Sequence, residues 1–153
     1  MAREQNLLLL YRVKMVKETK ELDFVLVDDN EIDLFLHERV IRLQGISSRV
    51  YPFSNVSKAL DYLESFRDNV DGYPETVILL DLMMPEMDGF EFLDHFENFP
   101  EALQEKTRIF IVSSSLDFGD MSRSNAHHLI EKTLKKPLNA DDLRAALKEN
   151  ALS

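Results

Sequence analysis

The chain has 153 residues, of which 44% are apolar, enough for one domain of ordinary size around one core. Its 18 basic and 28 acidic side chains leave a formal charge of −10, which argues against binding to nucleic acid or to an anionic membrane, since both need a basic surface. There is no cysteine, so disulfides, thiolate metal sites and thiol catalysis are excluded.

The N-terminal apolar run Leu7–Tyr11 is far short of the ~20 residues that span a bilayer. Charges at Arg12, Lys14 and Lys17 follow it, and no small-residue cleavage site appears, so it makes a poor signal peptide and the expected compartment is the cytoplasm. Residues 1–21 read as an extension outside the core and 22–151 as the folded domain. The first β-rich run is Phe24–Val27. A helix is expected after Asn30, with Ile32, Phe35, Leu36, Val40 and Leu43 as its apolar stripe and His37 toward solvent. Val50–Phe53 is the second strand, and Pro52 demotes it to a sheet edge. Val56, Leu60, Leu63 and Phe66 mark the next helix, capped by Ser54 or Asn55.

Val77–Leu80 is the third strand. Phe90, Leu93, Phe96 and Leu103 form a helical stripe after Asp88-Gly89, with Phe92 and Phe99 nearby and His95 toward solvent. Ile109–Val112 is the fourth strand, the polar stretch from Asp117 to His128 has no clear period, and Ile130–Lys135 is a weaker fifth strand. Asn139 caps a last helix whose buried face is Leu143, Ala146 and Leu147. Three of the strand runs are continuous rather than alternating, as in strands buried on both faces. The βα alternation predicts a doubly wound α/β domain of five parallel strands with right-handed crossovers. Ligands of such sheets sit beyond the carboxyl ends of the strands.

Those ends carry the chemistry. They read Val27-Asp28-Asp29-Asn30, Leu80-Asp81-Leu82-Met83-Met84-Pro85, Val112-Ser113-Ser114-Ser115 and Lys135-Lys136-Pro137. Parallel strands bring Asp28, Asp29, Asp81, Ser113 and Lys136 to one rim. Carboxylates crowded there repel one another, and a hard divalent cation such as Mg²⁺, with Lys136, would compensate. Singly, each feature is ordinary: an acidic helix cap, a turn aspartate, a serine loop, a Lys-Pro turn. One after each of four successive strands makes a specific combination.

These segments make the chain resemble a response-regulator receiver domain of two-component signalling, of the single-domain, chemotaxis-regulator-like kind. The likeness runs from about residue 22 to 150, and Asp81–Gly89 is its most specific part. It implies a flavodoxin-like sheet in the order 2-1-3-4-5. It implies that Asp81 takes a phosphoryl group from a phosphohistidine of a sensor histidine kinase or histidine phosphotransfer protein. Asp28, Asp29, Asp81 and the backbone carbonyl of Met83 would hold Mg²⁺, Ser113 would hydrogen-bond the phosphoryl group, and Lys136 would form an ion pair with it. Ser113, Ser114 and Thr133 would form the switch region.

At Thr133 the family carries an aromatic residue that turns inward on phosphorylation, so the aromatic readout does not carry over. His127-His128 also departs from the pattern and reads as solvated loop histidines rather than metal ligands, because one face does not easily present both. Met83 and Ser115, neither acidic nor amide, predict slow-to-moderate loss of the phosphoryl group.

With no effector domain after Ser153, output is expected through another protein or onward phosphotransfer, without direct DNA binding. Two other classes fit worse. An aspartate-nucleophile phosphohydrolase wants a second acid two residues after the nucleophile, where Met83 stands. A flavodoxin-like cofactor binder needs a phosphate-cradling loop where Asp28-Asp29 would repel phosphate.

Overall fold

The computed structural model of the chain describes residues 6, 21–84, 88–114 and 127–149. Nearly all of the expected 1–21 extension, Pro85, Ser115, the 117–126 stretch and the end of the expected 22–151 domain lie outside the described residues. Strands β1 (Asp23–Val27), β2 (Val50–Phe53), β3 (Thr76–Leu80), β4 (Thr107–Ser113) and β5 (Ile130–Lys135) pair in parallel. They form one five-stranded sheet in the order β2-β1-β3-β4-β5. Pro52 lies exposed on the edge strand β2.

Helices α1 (Glu31–Leu43), α2 (Val56–Glu64), α3 (Gly89–Phe96), α4 (Glu101–Glu105) and α5 (Ala140–Glu149) cover the two faces. Successive strand residues point to opposite faces. Phe24, Leu26, Val77, Leu79, Phe110 and Val112 therefore pack with Leu34 and Ile41 of α1 and Leu143 and Ala146 of α5. Val25, Val27, Ile78, Leu80, Ile109 and Ile111 pack with α2, α3 and Leu103 of α4. β1 and β3 are buried at every position, which accounts for their unbroken apolar runs. The side-chain oxygens of Asn30, Asn55, Asp88 and Asn139 accept backbone N–H groups at the helix starts.

Two expectations are corrected. Most of the apolar stripe expected on α1 lies on its outer face: Ile32 is 71% exposed, Phe35 58%, Leu36 47% and Leu43 71%, and only Val40 packs partly against the core. The residues turned inward are Leu34, His37 and Ile41, so His37, expected in solvent, is 4% exposed. At 3.6 residues per turn these two sets lie on nearly opposite sides of the helix, and periodicity cannot say which meets the sheet. Arg39 lays its guanidinium over the Phe35 ring, 5.4 Å from the centroid, and covers part of the outer stripe.

The second correction concerns the helix expected from Phe90 to Leu103, which is two helices. Pro100 has no N–H to continue the ladder, α3 ends at Phe96, and α4 starts after the proline. Gln104 Nε2 closes the break by donating to the carbonyls of Glu97 (3.1 Å) and Phe99 (2.9 Å). Phe90, Phe92, Phe96 and Phe99 are all buried, as core rather than partner surface.

Candidate functional site

Sheet register builds the site. Val27 and Leu80 are the last paired residues of β1 and β3, so Asp28 and Asp81 leave the sheet side by side. Backbone bonds hold both: the Asp28 N–H donates to Phe53 O (3.1 Å) and the Asp81 N–H to Val27 O (2.9 Å). Next to them β4 ends at Ser113, whose carbonyl accepts the Lys136 N–H at 2.9 Å. That bond delivers the lysine from the end of β5 to the same rim. β1 is also where the strand order reverses, the place at which doubly wound sheets open a crevice.

Asp28, Asp81 and Ser113 are buried, at 3%, 7% and 5% exposure. Asp29 is exposed, and carboxylate oxygens of Asp28, Asp29 and Asp81 lie within 4.8 Å of one another. The Asp81 carboxylate accepts the Met83 N–H at 3.0 Å, while the Met83 side chain points out, 59% exposed. Lys136 Nζ donates to Asp28 Oδ2 at 2.6 Å, to Asp33 Oδ2 at 2.9 Å and to Asp81 Oδ2 at 3.3 Å. Of the other expected residues, Ser114 is exposed and Thr133 is half-buried opposite Ile111 in the sheet.

Asp33 is the member that the sequence reading missed. It lies in the first turn of α1, where an acidic residue suits the helix dipole and draws no attention. The visible signal was the pattern Asn30-Glu31-Ile32-Asp33 directly after the first strand. A capped first turn holds its third residue against the strand end, and Asn30 Oδ1 accepts the Asp33 N–H at 3.1 Å.

The charges act unequally. Burial, assisted by repulsion from Asp28, pushes the Asp81 carboxyl up to about 6, against the pull of the Met83 N–H and Lys136. Burial alone would lower Lys136, but its bonds to Asp28 and Asp33 and the nearby Asp81 charge overcome this and raise it. The two shifts agree once the distances are compared. The ammonium is held chiefly by Asp28 and Asp33, and Asp81 receives the weakest share. His37, behind the rim, is lowered by burial and by the Lys136 charge.

A second cluster joins Glu97 to His127 and His128, whose Nε2 atoms lie 3.6 and 3.5 Å from Glu97 Oε1. The rings stack with centroids 5.1 Å apart, so one face does present both, contrary to expectation. His127 Nδ1 accepts the Leu129 N–H at 3.2 Å. In a neutral His127 ring that bond leaves the proton on Nε2, facing the Glu97 carboxylate at 3.6 Å.

The comparisons agree with this architecture. The model of the response regulator receiver domain matches residues 24–148. The chain is 30% identical over 125 residues to the probable methanogenesis regulatory protein FilR2 of Methanothrix harundinacea (strain 6Ac), covering 82% of this chain and 78% of that protein. Its structure is similar to a response regulator receiver protein from Dyadobacter fermentans DSM 18053, with 38% identity, a TM-score of 0.76, and coverage of 83% of this chain and 95% of the other. It is also similar to a two component response regulator from Cytophaga hutchinsonii, with 26% identity, a TM-score of 0.73, and coverage of 84% and 96%. A five-stranded parallel sheet in the order 2-1-3-4-5, with an acidic rim closed by a lysine and a family match over most of its length, makes this chain a member of the response-regulator receiver family.

Proposed function

We propose that Asp81 is a phosphoryl acceptor, charged by a phosphohistidine of a sensor histidine kinase or a histidine phosphotransfer protein, and that phosphorylation changes binding to a protein partner. The observation that carries this reading is the convergence of Lys136 Nζ on Asp28, Asp33 and Asp81 at 2.6, 2.9 and 3.3 Å. A buried carboxylate beside a fixed cation and two further carboxylates fits a phosphoryl acceptor.

Receiver domains generally bind Mg²⁺ at an acidic pocket. The donor set here fits a hard divalent cation, because the carboxylates outnumber the one ammonium paired with them among the described residues. Asp28, Asp29 and Asp81 would hold it, with the Met83 carbonyl as a further oxygen. Bound there, Mg²⁺ would supply positive charge to the phosphoryl oxygens and keep Asp81 ionised.

Within the chain, an Asp81 oxygen attacks phosphorus, the phosphorus–nitrogen bond breaks, and the imidazole leaves with the electron pair. The Met83 N–H, bonded to the Asp81 carboxylate, orients it. Lys136 neutralises a phosphoryl oxygen, and the Ser113 hydroxyl donates to another. Drawing Ser113 inward would pass the change to Ser114 and to Thr133 on β5, where no aromatic side chain stands. This couples local charge to a surface.

The test is intact mass after incubation with Mg²⁺ and a small phosphodonor. One added phosphoryl group is expected in the wild type and none in Asp81→Asn. An equal gain in both would defeat the assignment.

A further inference from the structure

The Lys136 ammonium has three N–H donors, and all three are engaged, by Asp28, Asp33 and Asp81. A phosphoryl oxygen arriving on Asp81 therefore cannot add a contact to Lys136; it must replace one. Phosphorylation removes the Asp81 charge and frees the donor it held, which a phosphoryl oxygen can take. Asp28 belongs with Asp29 and Asp81 to the cluster that suits a cation, whereas Asp33 is not part of it. Asp33 is thus the partner that goes on competing with the phosphoryl group for the ammonium. Its hold is firm: at 2.9 Å it is closer to Nζ than Asp81 is at 3.3 Å. The Lys136 side chain is 8% exposed and that of Asp33 28%, so water reaches the pair only from the Asp33 side.

We infer that Asp33 is a positioning residue that competes with the phosphoryl group for Lys136 and thereby sets how readily Asp81 is charged and how long it stays so. The inference rests on the reading of Asp81 as the acceptor. Its physical content is simple. While Asp33 holds the ammonium, part of the lysine's charge is neutralised before any phosphoryl group arrives. The phosphoryl group then meets an ammonium that is partly neutralised and held toward α1. That residual pairing weakens the hold of Lys136 on the phosphoryl group and favours its loss.

The experiment is a double-mutant cycle in the full chain, timed by intact mass with Mg²⁺ and a small phosphodonor. Asp33→Asn keeps the side-chain shape and is expected to speed phosphorylation and to lengthen the life of phospho-Asp81, each by roughly three- to tenfold. In a Lys136→Ala background the same substitution is expected to change neither by more than about twofold, because the group through which it acts is gone. Where Lys136→Ala is charged too slowly to time, the cycle is read from the affinity for beryllofluoride, a phosphoryl mimic, in Mg²⁺.

An Asp33→Asn protein indistinguishable from wild type overturns the inference. So does an equal effect with and without Lys136, which would mark a general field of one carboxylate. A wild type that never gains a phosphoryl group instead overturns the reading of Asp81, and this inference falls with it.

Discussion

At the scale of single residues, the rim is a competition among carboxylates for one ammonium. Asp81 loses that competition, since burial and the Asp28 charge outweigh the Met83 N–H and a lysine 3.3 Å away, and its carboxyl is pushed from the ordinary 3.8 up to about 6. The folded chain without metal thus binds this proton more tightly than the unfolded chain does. Stability is then unaffected by Asp81 below about pH 3.8 and falls as pH rises toward about 6. Asp81→Asn should therefore stabilise the metal-free protein at pH 7 by about 1–2 kcal/mol and flatten the fall between pH 4 and 6. Denaturant melts across that range check it, and a variant less stable than wild type at pH 7 would contradict it. The acidic pair, Asp81, Ser113 and Lys136 were legible in the sequence because each directly follows or ends a strand. Asp33 was not, because an acid in a first helical turn reads as a dipole partner until the turn is docked.

At the scale of elements, the loop from Asp81 into α3 depends on a missing side chain. A Cβ on Gly89 would lie 2.7 Å from Leu82 Cδ2 and 3.0 Å from both the Asp81 carbonyl oxygen and Leu82 Cα. The last two are backbone and cannot step aside cheaply. Gly89→Ala is expected to cost about 1–3 kcal/mol, the range for overpacking, and to slow phosphorylation by displacing Asp81. A thermal melt and the mass assay read both effects, and an unchanged melt would show that the loop yields freely. Sequence reading saw Asp88-Gly89 only as the turn before this helix, and the close approach of two backbone segments has no sequence signature. α1 shows the complementary limit. Its extent was legible, and its inward face was not, because it carries two apolar faces and only the sheet chose Leu34 and Ile41 over Ile32, Leu36 and Leu43.

At the scale of the whole molecule, no helix among the described residues is long and apolar enough to cross a membrane, and the sheet serves as a frame that collects charge at one edge. A cation bound there only in the folded state should stabilise the fold by about 2.7 kcal/mol at one hundred times its Kd. Titrating Mg²⁺ while following the melting temperature checks this, and Asp28→Asn or Asp29→Asn should remove most of the gain. An equal Mg²⁺ response in those variants would place the cation elsewhere. The sequence by itself determined the strands, most of the helix starts and the doubly wound class, because apolar period and capping residues act over a few neighbours. It also determined the residues at four strand ends, since parallel strands can only carry their ends to a common rim. Tertiary structure alone decided which face of α1 is buried and that Lys136 is shared with Asp33, whereas the break before β4 was marked locally by Pro100. Both outcomes depend on contacts between separate segments, about a hundred residues apart for Lys136 and Asp33, and local pattern carries no information about which distant surface a side chain will meet.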